Sequence, residues 1–403
     1  MKTTDPASPS ASGRLAVIPG SVWALGFVSM LMDISSEMIH ALLPLYLVTV
    51  LGTSVVAVGF IEGLAEATAS ITKLFSGALS DRLGKRKLLA VVGYGLGALS
   101  KPVFPLGLGL DWLVGARFVD RVGKGIRGAP RDALVADVTP AHLRGAAFGL
   151  RQTLDSIGAF LGPLLAIALM WVTGSHFQTV FWVAVIPAFL AVYVLIRHVR
   201  EPEAKSAGLS RRAPLSVAEL ARLGACYWQV VAIAIVFTLA RFSEAFLILR
   251  GQAAGLAPVW APAVLVIMAL AFSLSAYPAG AVSDRLGRRG VLMVGLMLLI
   301  AADSALALLP GLVGLAVGTV LWGLHMGFTQ GIFSAMIADS APGHLRGTAF
   351  GVFHLVTGVA LLAASVLAGM LWDSWGYQAT FLAGACFAVV TLLAVAVSNR
   401  QRE

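Results

Sequence analysis

Charge is scarce in this 403-residue sequence: 12% of the residues are Asp, Glu, Lys or Arg, while 58% are hydrophobic. A soluble domain carries about 25% charged residues, and a chain with half that supply cannot cover a water-facing surface. Cysteine is rarer still. The two present, Cys226 and Cys386, stand in apolar stretches without metal-ligand spacing or a disulfide framework, and read as small packing residues. The first 20 residues hold no apolar core ahead of a small-residue cleavage site, so no cleavable signal peptide is expected. Soluble enzymes, disulfide scaffolds, coiled coils and disordered chains are excluded, and lipid is the expected solvent. The net charge of +9 then concerns which loops hold Lys and Arg, not nucleic acid.

What is abundant is apolar length. A spanning helix needs about 20 mostly apolar residues. Twelve such runs are expected, near 21–49, 55–79, 88–108, 111–137, 146–171 and 179–197, then 223–249, 258–282, 291–309, 314–338, 346–371 and 378–398. The expected organisation is a cytoplasmic tail (1–19), a six-helix bundle (20–197), a cytoplasmic linker (198–222) and a second six-helix bundle (223–403). Lys85, Arg86, Lys87, Arg144, Arg288, Arg289 and Arg346 fall in loops on one side, whereas the other side holds Arg250 as its exception. By the positive-inside rule both termini are cytoplasmic in a cell (inner) membrane. Trp23, Trp112, Trp171, Trp228, Trp322 and Trp372 are expected near span ends as interfacial anchors.

The two halves repeat. GALSDRLGKR at 77–86 returns as GAVSDRLGRR at 280–289, and ADVTPAHLRGAAFGL at 136–150 returns as ADSAPGHLRGTAFGV at 338–352. Two long matches at nearly one displacement mark a duplicated six-span unit. On these residues the sequence resembles the major facilitator superfamily over nearly its whole length. The family's loop signature stands as Gly77, Asp81, Arg82, Gly84, Lys85 and Arg86, and again as Gly280, Asp284, Arg285, Gly287, Arg288 and Arg289. The resemblance implies an all-α membrane protein of twelve helices in two parallel-repeat bundles, with these residues in gating. Asp81 and Asp284 would cap or pair across the halves. Arg121-Val-Gly-Lys124-Gly125 is similar to the family's Arg-x-x-x-Gly motif. Gly158-x-x-x-Gly162-Pro163 looks like the motif of exporters that exchange solute for protons, although the same glycines could serve helix packing alone.

Charges inside the spans need a purpose, because one Arg, Lys or Asp at a helix centre costs about 2.5–3.5 kcal/mol on insertion scales. In the first half, acidic residues 33, 37, 62, 66, 120, 132 and 155 stand against basic residues 73, 101, 117, 121, 124, 127, 131 and 151. Near-balance implies pairing within a polar cavity. The second half keeps Arg241, Glu244, His325, Gln330 and His354. It is expected to shape the rest of the pocket.

Asp33, Glu37 and His40 share one helical face at i, i+4 and i+7. Three readings stand: a proton carrier, a divalent-cation ligand set completed by His325 or His354, or neutralisation of span 4 arginines. Arg121 beside Asp33 or Glu37 would make a proton-driven switch; a permanent ion-pair lattice is the other reading. The expected coupling residues are Asp33, Glu37, Asp120 and Arg121. The expected cavity adds His40, Arg117, Lys124, Arg151, Asp155, Arg241, Glu244, His325, Gln330 and His354, with Arg131 and Asp132 as gate pairs.

The chain has no HExxH, GxSxG, Cys-His set or GxxxxGK[ST] loop, so neither an enzyme nor an ATP-driven pump is expected, and no cofactor or resident metal is called for. The expected function is alternating-access transport, with proton-coupled export of a drug-like or cationic solute first. Divalent-metal (Ni, Co, Fe) export and organic-anion transport follow. The expected partners are that solute, the proton and the bilayer, with no nucleic acid and a monomeric carrier.

Overall fold

In hydrocarbon every backbone N–H and C=O must find a partner within the chain, and apolar runs of this length meet that demand as helices. The computed structural model describes residues 18–83, 85–140, 143–200, 223–342 and 345–400. The expected tail and linker fall almost wholly outside them. The first half contains α1 (Gly20–His40), α2 (Leu43–Thr49), α3 (Val55–Leu83), α4 (Arg86–Ser100), α5 (Leu110–Val138), α6 (Arg144–Val172) and α7 (Phe177–His198). The second contains α8 (Ala225–Ala240), α9 (Ala245–Ala253), α10 (Ala263–Leu308), α11 (Gly311–Ser340), α12 (Arg346–Trp375) and α13 (Tyr377–Arg400).

Among the described residues, ten helical stretches are long and apolar enough to cross a membrane. The two remaining expected passages are α4, which is short and continues as a 3₁₀ turn over Lys101–Val103, and α5, which is rich in charge. The fold is all-α, with twelve passages in two six-helix bundles. Two passages run together as α10, interrupted at Gly287, whose φ of 71° is open to glycine without a Cβ clash.

The first passage of each half is broken at the same register. α1 gives way to α2 at Ala41–Leu42, and α8 gives way to α9 over Arg241–Glu244. The displacement of 203 that relates 77–86 to 280–289 carries His40 onto Ser243, so the two breaks fall at matching places in the repeat. Discontinuous helices of this kind free backbone groups near the middle of a bundle.

Glycines set where the helices meet. On α3, Gly59 and Gly63 lie against Ser365 and Leu362 of α12, and Gly369 of α12 lies against Val56. At the end of this crossing away from the basic loops, Asp373 joins the halves. Its Oδ1 accepts from Val55 N at 3.1 Å and its Oδ2 from Val56 N at 3.0 Å. A carboxylate on one half thereby caps a helix of the other. Asp373→Ala should lose about 0.5–2 kcal/mol of closure, as cap removals do. Distances between spin labels at these ends of α3 and α12 should broaden and lengthen; an unchanged distribution would show that the cap does not hold the halves together.

The structure bears on several expectations. Arg86 pairs with Asp137 and Arg288 with Asp339, the same contact in each repeat and each within one half. Arg131 and Asp132 also pair within the first half, and among the described residues neither has an ion pair across the halves. Gly77, Asp81, Arg82, Gly84, Gly280, Asp284 and Arg285 lie outside the residues whose side chains the structure describes. Trp322 is fully buried in mid α11 against Phe242, and is not an interfacial anchor. Arg250 donates from Nε to Leu306 O at 2.9 Å and from Nη2 to Leu309 O at 3.1 Å, with its guanidinium 4.2 Å from the Tyr377 ring centroid. It serves the carbonyls left open where α10 ends, which explains a lone arginine on the side otherwise poor in basic residues.

Candidate functional site

The charges of the first half form two lattices. Near the α1–α2 break, Arg117 Nη2 donates to Glu62 Oε2 at 2.7 Å and to His40 Nδ1 at 2.8 Å. Arginine has only donors, so His40 Nδ1 is the acceptor and its imidazole is neutral with the proton on Nε2. Lys101 Nζ donates to Asp120 Oδ1 at 2.9 Å and Ser36 Oγ at 3.0 Å. Arg121 reaches Glu66 at 3.0 Å and Asp120 at 3.8 Å. Arg117, Glu62, Lys101, Asp120 and Arg121 are all buried, so each charge depends on its partners.

The second lattice lies toward the basic loops. Arg151 Nη1 donates to Asp155 Oδ2 at 2.6 Å, Arg131 Nε donates to Asp132 Oδ1 at 3.1 Å, and Arg131 Nη1 donates to Ser29 Oγ at 2.9 Å. Arg127 stands 4.0 Å from Asp33 and 4.6 Å from the Tyr94 ring centroid.

Between the halves lies a cavity of about 500 Å³. The first half supplies an ionic wall: Glu37, His40, Glu62, Glu66, Ser70, Arg121 and Lys124. The second supplies Phe237, Phe242, Phe333 and Phe353, together with Gln330, His354 and the Arg241–Glu244 pair. The Phe237 and Phe333 rings lie 4.9 Å apart, tilted by 34°, and Arg241 Nη2 is 3.8 Å from Glu244 Oε1. Glu37 and Lys124 make no ion pair with a described residue.

Gly158 and Gly162 of α6 admit the face of α1 that carries the carboxylates. A Cβ on Gly158 would lie 3.1 Å from Asp33 Cβ, and one on Gly162 would lie 2.6 Å from Glu37 Cβ. The exporter-like motif is thus the seat of Asp33 and Glu37, and its packing role is met at the same place.

Of the expected cavity residues, Glu37, His40, Lys124, Arg241, Glu244, Gln330 and His354 line it. Asp33, Arg117, Arg151, Asp155 and His325 do not: the first four are turned into the lattices, and His325 is buried against Trp322. Arg121 is not beside Asp33 or Glu37, because Glu66 and Asp120 hold it. The stripe Asp33, Glu37, His40 is divided among a lattice, the cavity and Glu62. Among the described residues no group of three or more His, Cys, Asp or Glu is placed to hold a metal ion. Glu62, Glu66 and Ser70 were not singled out for the cavity. Their i, i+4, i+8 spacing on α3 is the signal that places them on one face. The phenylalanine wall has no comparable signal in a chain this apolar.

The sequence profile of the Major Facilitator Superfamily matches residues 25–270 and 251–403. The chain belongs to that superfamily. An MFS-type transporter of Methanocaldococcus jannaschii is 31% identical over 381 residues, covering 92% of this chain and 93% of that protein. A triacylglyceride transporter of Mycolicibacterium hassiacum is 31% identical over 194 residues, 48% of this chain and 33% of that protein. Multidrug resistance protein MdtH of Photorhabdus laumondii is 30% identical over 162 residues, 39% of this chain and 38% of that protein. The crystal structure of the nucleoside transporter NupG superposes with a TM-score of 0.79 at 13% identity, covering 94% of this chain and 99% of the other. That likeness concerns the fold alone. This transporter is a multi-pass membrane protein and not an enzyme.

Proposed function

We propose that this transporter is a proton-coupled antiporter exporting a small lipophilic or cationic solute across the cell (inner) membrane, as a monomer with both termini cytoplasmic. The observation that carries the reading is Glu37, a cavity carboxylate with no ion pair among the described residues, which sits on Gly162 and shares the cavity with a phenylalanine wall. An unpaired carboxylate in such a place has two uses: it attracts a cation, or it takes a proton and lets the cation go. The bundles 20–197 and 223–403 rock about the cavity, joined by 198–222. In the outward-open state a proton binds Glu37 and solute leaves; in the inward-open state the proton leaves and solute enters. Asp33, 4.0 Å from Arg127, is the second carboxylate available to that cycle. Asp120 and Arg121 keep the ionic wall in place around it.

The cavity volume falls in the range of drug-sized pockets, about 300–1,000 Å³. The names of two relatives, a triacylglyceride transporter and a multidrug resistance protein, favour a multidrug-type or strongly apolar cargo, and the aromatic wall suits either. Organic-anion transport is disfavoured because six of the eight span cations of the first half are paired, Lys73 and Lys124 being the exceptions among the described residues. Metal export is disfavoured by the division of the Asp33–Glu37–His40 stripe.

The test uses purified protein in liposomes containing a pH-sensitive dye. Lipophilic cations should drive proton movement in the wild type, and Glu37→Gln should reduce it to the level of empty liposomes. Movement driven only by Ni²⁺, Co²⁺ or Fe²⁺, or an unaltered pH dependence in Glu37→Gln, would sink the reading.

A further inference from the structure

The second half holds a carboxylate that the transport cycle above does not use. Asp303, in the later part of α10, is fully buried, and neither of its oxygens has a hydrogen-bond partner. Three more residues with unpartnered polar atoms lie on one face of α11: Thr319 Oγ1, Trp322 Nε1 and both ring nitrogens of His325. They recur every three residues, and all three are buried. Among the described residues, every buried unpartnered side-chain atom of the second half belongs to these four residues. Gly318 brings the two helices together, since a Cβ there would meet Leu306 and, at 3.2 Å, Ala302 O, residues that bracket Asp303.

The α8–α9 break adjoins the same place. A Cβ on Gly384 of α13 would lie 2.6 Å from Asp303 Oδ2, 3.1 Å from Phe242 Cε1 and 3.3 Å from Ala240 O. Ala240 and Phe242 flank Arg241 in the chain, and Phe242 lines the cavity on its other side. An ionised carboxylate without a partner is costly in such a place, and the neutral acid is far less so.

Among the described residues, several other titratable groups on the packed elements are engaged elsewhere or exposed. Arg250 is bonded to backbone carbonyls and Tyr377 lies under it, Asp339 is paired with Arg288 at the far end of α11, and Cys386 is exposed. On α6, which also packs on α10, Arg151 and Asp155 hold each other. That leaves Arg241, in its loose contact with Glu244.

We propose that Asp303, with Thr319, Trp322 and His325 around it, is a second proton-binding site in the C-terminal half, and that Arg241 replaces the proton when the site empties. The Asp303 O–H bond breaks, the proton passes to water admitted at the break, and the carboxylate pairs with Arg241 as Arg241 leaves Glu244. The site sits behind the cavity wall, so filling or emptying it changes the charge that wall presents. This inference depends neither on Glu37 nor on the identity of the cargo.

Infrared difference spectroscopy of the full chain in lipid films tests it. Wild type minus Asp303→Asn, an isosteric change, should show the C=O stretch of a carboxylic acid at neutral pH, replaced by carboxylate bands on alkaline titration. The band should persist in a Glu37→Gln background, which separates this site from the cavity carboxylate. Arg241→Gln removes the replacing cation, so the midpoint should move toward alkaline pH by at least about one unit, a tenfold change. No acid band at neutral pH overturns the site, and an unmoved midpoint in Arg241→Gln overturns the exchange. Should Asp303→Asn fail to fold, dicyclohexylcarbodiimide labelling of the wild type reads the same proton, because the reagent adds to the acid form. A labelled Asp303 peptide supports the site; label on other membrane carboxyls with none on Asp303 overturns it.

Discussion

Arg117→Met is expected to destabilise the fold by about 3–5 kcal/mol, the range for a buried ion pair that loses one partner. The guanidinium is 2% exposed and serves Glu62 and His40 together. Without it Glu62, 1% exposed, keeps only the imidazole 3.5 Å away. Methionine fills the volume, so the loss reports charge and not a cavity. Adding Glu62→Gln should recover most of it, because the buried group left behind is then neutral. The loss should also shrink in acid, where the freed His40 can take a proton and pair with Glu62. Equilibrium unfolding in mixed micelles at two pH values measures both effects. A cost below 1 kcal/mol (~fivefold in the equilibrium constant) would mean that water reaches the lattice.

Gly162→Leu should strike stability and coupling together. A Cβ there would stand 2.6 Å from Glu37 Cβ, 2.9 Å from Ile34 O and 3.2 Å from Met38 N. Two of these are backbone atoms of α1, which cannot rotate away. Overpacking of this kind costs about 1–3 kcal/mol, and relief requires α1 to withdraw and carry Glu37 with it. Proton movement driven by lipophilic cations should fall to background even in protein that remains folded. Gly149→Leu, on the same helix with nothing within 4 Å of its Cβ position, should change neither property. If Gly162→Leu lowers stability but leaves the pH dependence of transport intact, the motif serves packing alone.

The fold was legible from the sequence because its causes are local or repeated. Apolar length dictated the passages, and the displacement between Asp81 and Asp284 announced two copies of one bundle. The helix break at Arg241 was not legible, since α8 and α9 read as one hydrophobic run. The site was readable in part. Glu37 and His40 could be placed on one face of α1, but the partner of each charge depends on how helices rotate against one another. That is why Arg121 was expected beside Asp33 and stands beside Glu66. Asp303 was overlooked although the repeat points to it: the displacement of 202 that aligns Asp137 with Asp339 carries Lys101 onto Asp303 and Asp120 onto Trp322. A buried cation of one copy stands as a buried carboxyl group in the other, and an indole occupies the position of its former partner.

That divergence makes the two bundles non-interchangeable. A chimera of two N-terminal bundles would set one ionic wall against another, with no phenylalanine surface to receive an apolar cargo. Two C-terminal bundles would enclose a greasy chamber without Glu37 or the lattice that surrounds it. The chain therefore works as an obligate heterodimer would, fused into one polypeptide, and separately expressed halves should restore transport only when one of each kind is supplied.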